Sequence, residues 1–129
     1  MRVLRYLWVS PVTLLGLAFA VLTWRRGHIR IVDGIIEAHG PWLRCLLTRC
    51  VPRPGGAAAM TLGHVILGQD QRALDDSRAH EHVHVCQYER WGVLFLPAYL
   101  IASALAVLAG GHYYADNIFE REATELTAR

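Results

Sequence analysis

"RALDDSRAHEHVHVCQYERWG", residues 72–92, is the stretch that decides how this chain folds. Asp75, Asp76 and Ser77 supply side-chain oxygens and negative charge suited to a helix N-terminus, and Gly92 is a natural stop. The segment therefore reads as a helix from Asp75 to about Trp91. Inside it stand His80, Glu81 and His84 in the pattern HExxH. Residues four apart lie one turn apart on one helix face, so His80 and His84 can present imidazole nitrogens to a single ion. Zinc accepts imidazole at about 2.0–2.1 Å in tetrahedral geometry, and two ligands held on one turn suit it. Glu81 can act as general base toward a water that the metal activates. The bland alternative is a solvated, histidine-rich helix face. The motif, falling inside a helix shortly after a strand, favours the metal site over it.

A catalytic zinc takes a third protein ligand and keeps one position open. "NIFEREAT", residues 117–124, offers Glu120 and Glu122 on a later helix. His82 lies two residues from both motif histidines and points to the other side of the helix, so it is not a ligand. Cys86 reads as a small buried hydrophobe, and Tyr88 and Trp91 as core. Glu89 with Arg90, and Arg121 with Glu122, read as surface charges worth little. His64 reads as structural, or as a transition-state donor if it lies near the site. Tyr113 and Tyr114 are candidates for hydrogen-bonding an oxyanion. His28, His39 and His112 have no assignable partner.

HExxH followed by a helical glutamate resembles the gluzincin metallopeptidases, in particular the integral-membrane group that includes the CAAX-prenyl proteases. The resemblance makes Glu120 the third ligand, with Phe119 before it and Ala123 three after. It implies Zn2+ as cofactor and a peptide or protein substrate, with Glu81 catalytic. Thr124 departs from the pattern: the family has there an aspartate that orients a histidine ligand. Over residues 60–124 the chain also resembles a group of short uncharacterised bacterial membrane-associated proteins. The shared features are "GHVILG", "HExxHVxQYERWG", "FLPAY" and "NxFEREA"; they imply a bacterial inner-membrane location and bring no substrate with them.

The 129 residues suffice for one core. Apolar residues make up 53% and charged ones 19%, a balance shifted toward membrane proteins. A net charge of +2 and the lack of a basic-aromatic platform argue against a nucleic-acid partner. Cys45, Cys50 and Cys86 form no C-x-x-C pair, so they read as reduced thiols rather than a zinc ribbon or redox motif, with a Cys45–Cys50 bridge disfavoured.

Tyr6 to Trp24 is an apolar run of about 19 residues, near the length that crosses a bilayer core. Tyr6, Trp8 and Trp24 near its ends suit the lipid interface. Pro11 is expected to kink it or mark its start. A signal peptide competes, but the run is long, lacks a clear small-x-small cleavage site and is followed at once by Arg25 and Arg26, so residues 1–27 read as a retained anchor or a packed helix in contact with membrane lipid. Arginines flank both ends too evenly to orient it. Residues 28–129 then form a minimal zincin-like metal-binding domain. "IRIVDGIIEA" is a hairpin about Asp33-Gly34, "VPRPGG" (51–56) a loop, and Met60 to Leu67 a third strand. Residues 93–109, with Pro97 expected to break them, form one arm of a helical hairpin. Gly110-Gly111 turns the chain back, and Asp116 or Asn117 caps the last helix.

The expected architecture is α+β: a small antiparallel sheet packed with the HExxH helix and a C-terminal helical hairpin, plus the N-terminal apolar helix. The strand from Thr61 to Leu67 is the candidate edge for binding an extended substrate. Two functions fit: a membrane-associated zinc metallopeptidase, or a non-catalytic membrane protein in which zinc clips helices together. A clip has no use for Glu81.

Overall fold

A computed structural model describes residues 2–51 and 55–128; the middle of the expected 51–56 loop lies outside the described residues. The chain is α+β, as expected. Helix α1 (Arg2–Thr23) precedes a hairpin of β1 (His28–Val32) and β2 (Ile35–His39). Then come α2 (Pro41–Cys50), β3 (Ala59–Leu62), β4 (Val65–Gly68), α3 (Gln71–Trp91), a single 3-10 turn (Gly92–Leu94), α4 (Phe95–Leu108) and α5 (Ile118–Thr127).

The first hairpin turns at Asp33-Gly34, both at positive φ (53° and 78°), as a two-residue turn of this kind requires. The expected third strand is in fact two. Gly63, at φ 65°, makes a second two-residue turn with His64, so β3 and β4 pair antiparallel with Leu62 opposite Val65. The sheet order is β1-β2-β4-β3. It is mixed rather than wholly antiparallel, because β2 and β4 run parallel with Ile36 opposite Val65. Parallel neighbours need a long crossover, usually helical, and α2 supplies it. Pro41 starts α2 at a position where its missing N–H costs nothing, and Leu43 and Leu47 bury its inner face.

Alternation along the strands sorts the core into two faces. Ala38, Val65 and Leu67 join Val9, Val12, Ala20 and Leu43 from α1 and α2. Ile35 and Ile66 point the other way, against Leu74 and Val85 of α3. On that second face the register lines up Arg30, Glu37, Ile66 and Thr61 across all four strands. Arg78 of α3 sits over Glu37 and donates Nε (2.7 Å) and Nη2 (2.9 Å) to its two oxygens. The Glu37 side chain is fully buried, with Arg30 at 3.9 Å as its other cation. This pair holds α3 at one station along the sheet.

α3 begins four residues earlier than expected. Asp70, not Asp75 to Ser77, is its N-cap, accepting from the Ala73 N–H at 2.7 Å. It ends where expected, at Trp91, with Gly92 at φ 60° beneath the Trp8 ring, where a Cβ would not fit. Pro97 does not break α4. It falls in the helix's first turn, where proline is tolerated, and the break lies in the preceding 3-10 turn. Pro11 likewise interrupts nothing: α1 runs through it. The Leu7 carbonyl, which Pro11 has no N–H to satisfy, accepts the Ser10 hydroxyl at 2.7 Å.

The return from α4 to α5 depends on Asn117, which is completely buried. Its Oδ1 caps α5 by accepting from Phe119 N–H (2.9 Å), while its Nδ2 donates to Tyr99 O (3.1 Å) and Ser103 Oγ (2.8 Å) on α4. Of the two expected caps, Asn117 is thus the one used. Asp116 instead closes the preceding turn by accepting from His112 N–H, and His112 Nδ1 accepts from the N–H groups of Tyr114 and Ala115. α5 therefore starts beside the middle of α4, which brings Glu120 back toward α3 despite the length of the intervening helix.

Among the described residues, two helical runs are long and apolar enough to cross a membrane, Val3–Thr23 and Gln71–Leu108. The apolar part of the second is its α4 end, since α3 carries too many charges. Only 28% and 22% of their apolar windows are buried inside the protein. Leu4, Leu7, Leu14 and Leu22 of α1, and Leu100, Ile101, Leu105 and Leu108 of α4, are exposed.

Candidate metal centre

His80 and His84 face α5 from successive turns of α3, and Glu120 in the first turn of α5 meets them. His80 Nε2 lies 3.0 Å from Glu120 Oε2, and His84 Nε2 lies 3.0 Å from Glu120 Oε1. One ligand atom from each residue falls within 4.8 Å of the others, so this group could hold a metal ion. The donor chemistry fits: two imidazole nitrogens and one carboxylate oxygen form a borderline set, of the kind that binds zinc with one position left for water or substrate. Tyr99 of α4 donates its hydroxyl to Glu120 Oε1 at 2.8 Å, orienting the carboxylate from behind. The sequence alone left Glu120 and Glu122 as alternatives. The structure separates them, because Glu122 faces away toward Arg90 and Gln87.

Glu81 is buried beside the group, over the cross-strand row. Thr61 of β3 donates its hydroxyl to Glu81 Oε2 at 2.6 Å, and the Tyr88 hydroxyl donates to Thr61 O at 3.1 Å. Burial pushes the Glu81 carboxyl above its ordinary range; the nearby His84 charge and the Thr61 hydroxyl act downward and do not cancel it. Burial acts on Glu120 in the same sense, but hydrogen bonds from His80 and His84, the His84 charge and Tyr99 hold it well below the usual carboxylate range. His84 is lowered by burial, yet its hydrogen bond to Glu120 and the charges of Glu81 and Glu120 raise it to about 9. Two carboxylates bordering one cavity are thus driven in opposite directions, Glu120 toward a permanent anion and Glu81 toward binding a proton more tightly.

His84, Glu120 and Glu81 border a cavity of about 450 Å³. Its walls are mainly apolar, with Met60 and Leu62 from β3, Tyr88 from α3, and Phe95, Leu96 and Leu100 from the hairpin arm. Tyr113 and Tyr114 also line it, as their candidacy for oxyanion contacts requires. β3 is one of the sheet's two edge strands, with β1 at the other side, so the expected substrate edge is its Thr61–Leu62 portion, while Val65 to Leu67 belong to interior β4.

Other expectations need correction. Cys86 is exposed, not buried, because it lies on the α3 face turned away from both the sheet and α5; Cys45 and Cys50 are also free and exposed. Tyr88 is core, at 1% exposure, but Trp91 is 43% exposed. Its ring meets Phe119 edge-on at 5.8 Å and leaves its remaining surface outward. Glu89 pairs with His64 (3.5 Å) rather than Arg90, and Arg90 pairs with Glu122 in place of Arg121. His64 is structural: it stacks on Tyr6 of α1 (4.1 Å), and its backbone N–H donates to Thr13 Oγ1. His28 and His39 face each other across the first hairpin, 5.1 Å apart. His82 is not among the converging ligand atoms.

Sequence reasoning assigned no site role to Thr61, Tyr99 or Gln87. Gln87 had a local signal, three residues beyond a ligand histidine on the same helix face. Thr61 and Tyr99 had none, since each reaches the site only through tertiary packing. No protein-family model, no curated protein and no solved structure matches this chain significantly.

Proposed function

We propose that this protein is a membrane-associated, zinc-dependent metallopeptidase-like hydrolase. His80, His84 and Glu120 would hold the ion, and Glu81 would act as general base. The observation that carries the proposal is the convergence of the three ligand atoms beside a cavity that His84, Glu120 and Glu81 border. The resemblance to gluzincins, with Glu120 as third ligand, agrees with it. Zinc bound there would supply a Lewis acid for the scissile carbonyl and acidify the attacking water. Glu81 accepts that water's proton and passes it to the departing amide nitrogen. Its raised proton affinity favours acceptance, and the Thr61 hydroxyl fixes one of its oxygens.

An extended substrate would lie along β3, an edge strand, with an apolar side chain in the cavity formed by Met60, Leu62, Phe95 and Leu100. The exposed apolar faces of α1 and α4 support a site held at a membrane.

The test is cleavage of a mixture of quenched fluorogenic peptides with apolar residues flanking the scissile bond, using detergent-purified protein. Cleavage is expected to disappear with a zinc chelator and return when zinc is restored. Zinc-loaded, folded protein that cleaves none of them would leave the ion as a clip between α3 and α5. That second role is favoured by the fact that the ligands come from two helices.

A further inference from the structure

His84 uses one ring nitrogen toward Glu120 and the other toward Gln87. Its Nδ1 lies 2.8 Å from Gln87 Oε1. Gln87 is completely buried, and its amide orientation is dictated by its surroundings. Its Nε2 donates to the Phe119 carbonyl (3.0 Å) and to Glu122 Oε1 (3.0 Å), both of which can only accept. The amide oxygen must therefore face His84, and Nδ1 must carry a proton. That leaves Nε2 as the nitrogen offered to an ion. Phe119 directly precedes Glu120, so the same amide also grips the backbone that carries the third ligand.

We infer that Gln87 is the positioning residue of this metal centre, setting the ring of His84 and the station of α5 together. The inference rests on the zinc site proposed above. The resemblance to gluzincins would place an orienting aspartate where Thr124 stands. Thr124 is exposed, and the orienting contact comes instead from the HExxH helix itself. A histidine ligand whose second nitrogen loses its partner typically costs 10–100-fold in metal affinity.

Two readouts test this on the full chain in detergent. Zinc affinity is measured by competition with a chromophoric chelator, and the His84 Nδ1 proton is followed by NMR of the histidine-labelled, metal-free protein. Gln87→Leu is expected to weaken zinc binding by about 10–100-fold and to abolish the slowly exchanging Nδ1 proton seen in wild type. The double variant Gln87→Glu with Glu122→Gln keeps an oxygen acceptor for His84 but gives up the donor to the Phe119 carbonyl, and is expected to restore the slowly exchanging Nδ1 proton with only part of the affinity. It also decides the matter if Gln87→Leu fails to fold.

Wild-type affinity together with a retained proton in Gln87→Leu would overturn the inference. So would a folded double variant that lacks the slowly exchanging Nδ1 proton, since the acceptor would be present without holding the ring. If wild type itself binds no zinc, the proposed function fails. Loss of the proton in Gln87→Leu would still support the hold on His84.

Discussion

Glu81→Gln is expected to keep the metal and lose hydrolysis, with turnover falling by about 10²–10⁴-fold, the range a positioned general base contributes. The glutamine is nearly isosteric and can still accept from the Thr61 hydroxyl, which now sits 2.6 Å from Oε2. None of the three converging ligands is touched. What disappears is the capacity to take a proton in a buried setting that raises the affinity of Glu81 for one. Metal content and cleavage rate, measured on the same preparation, separate the two effects. A rate unchanged by the substitution would remove Glu81 from the chemistry.

Arg78→Met is expected to destabilise the protein by about 3–5 kcal/mol, the usual cost of stranding one member of a buried ion pair. It leaves the Glu37 carboxylate fully buried with only Arg30, at 3.9 Å, for a partner. Glu37→Leu is expected to cost less, because Arg78 keeps its contact with Asp75 at 2.8 Å and is itself partly exposed. The double variant Arg78→Met/Glu37→Leu is expected to recover much of the loss, since apolar replacement of a buried pair is often neutral. Chemical denaturation of the detergent-solubilised protein gives the comparison. The pair lies in the same cross-strand row as Thr61, so a slip of α3 along the sheet would also separate Thr61 from Glu81. Equal costs for the two single variants would mean that the pair is solvated and does not fix the helix.

The legible parts of this protein are those whose geometry is local. His80, Glu81 and His84 are arranged by helix periodicity alone, and the Asp33-Gly34 turn by the φ values those residues tolerate. Glu120 and Glu122 are both legible as candidates on a predictable helix, and the resemblance to gluzincins implies Glu120; its approach to the histidines, however, depends on Asn117 fastening α5 to the middle of α4.

The parallel β2–β4 pair was not legible, because α2 was not recognised as a crossover. Pro41 followed by leucines at 43, 46 and 47 was the available signal. Glu37 is illegible for a different reason. A lone glutamate in a strand reads as solvated until the arginine 41 residues away is seen to cover it. Cys86 and Trp91 were misplaced because composition ranks residue types by burial, whereas exposure here follows which side of α3 meets the sheet and α5.

The most direct measurement is elemental analysis of detergent-purified protein, wild type beside His84→Ala and Glu120→Ala. The account predicts one zinc per chain in wild type and none in either variant, with each variant retaining its helical content. Freshly purified, folded wild type without metal, or variants that keep it, would contradict the assignment of His80, His84 and Glu120 as a zinc site.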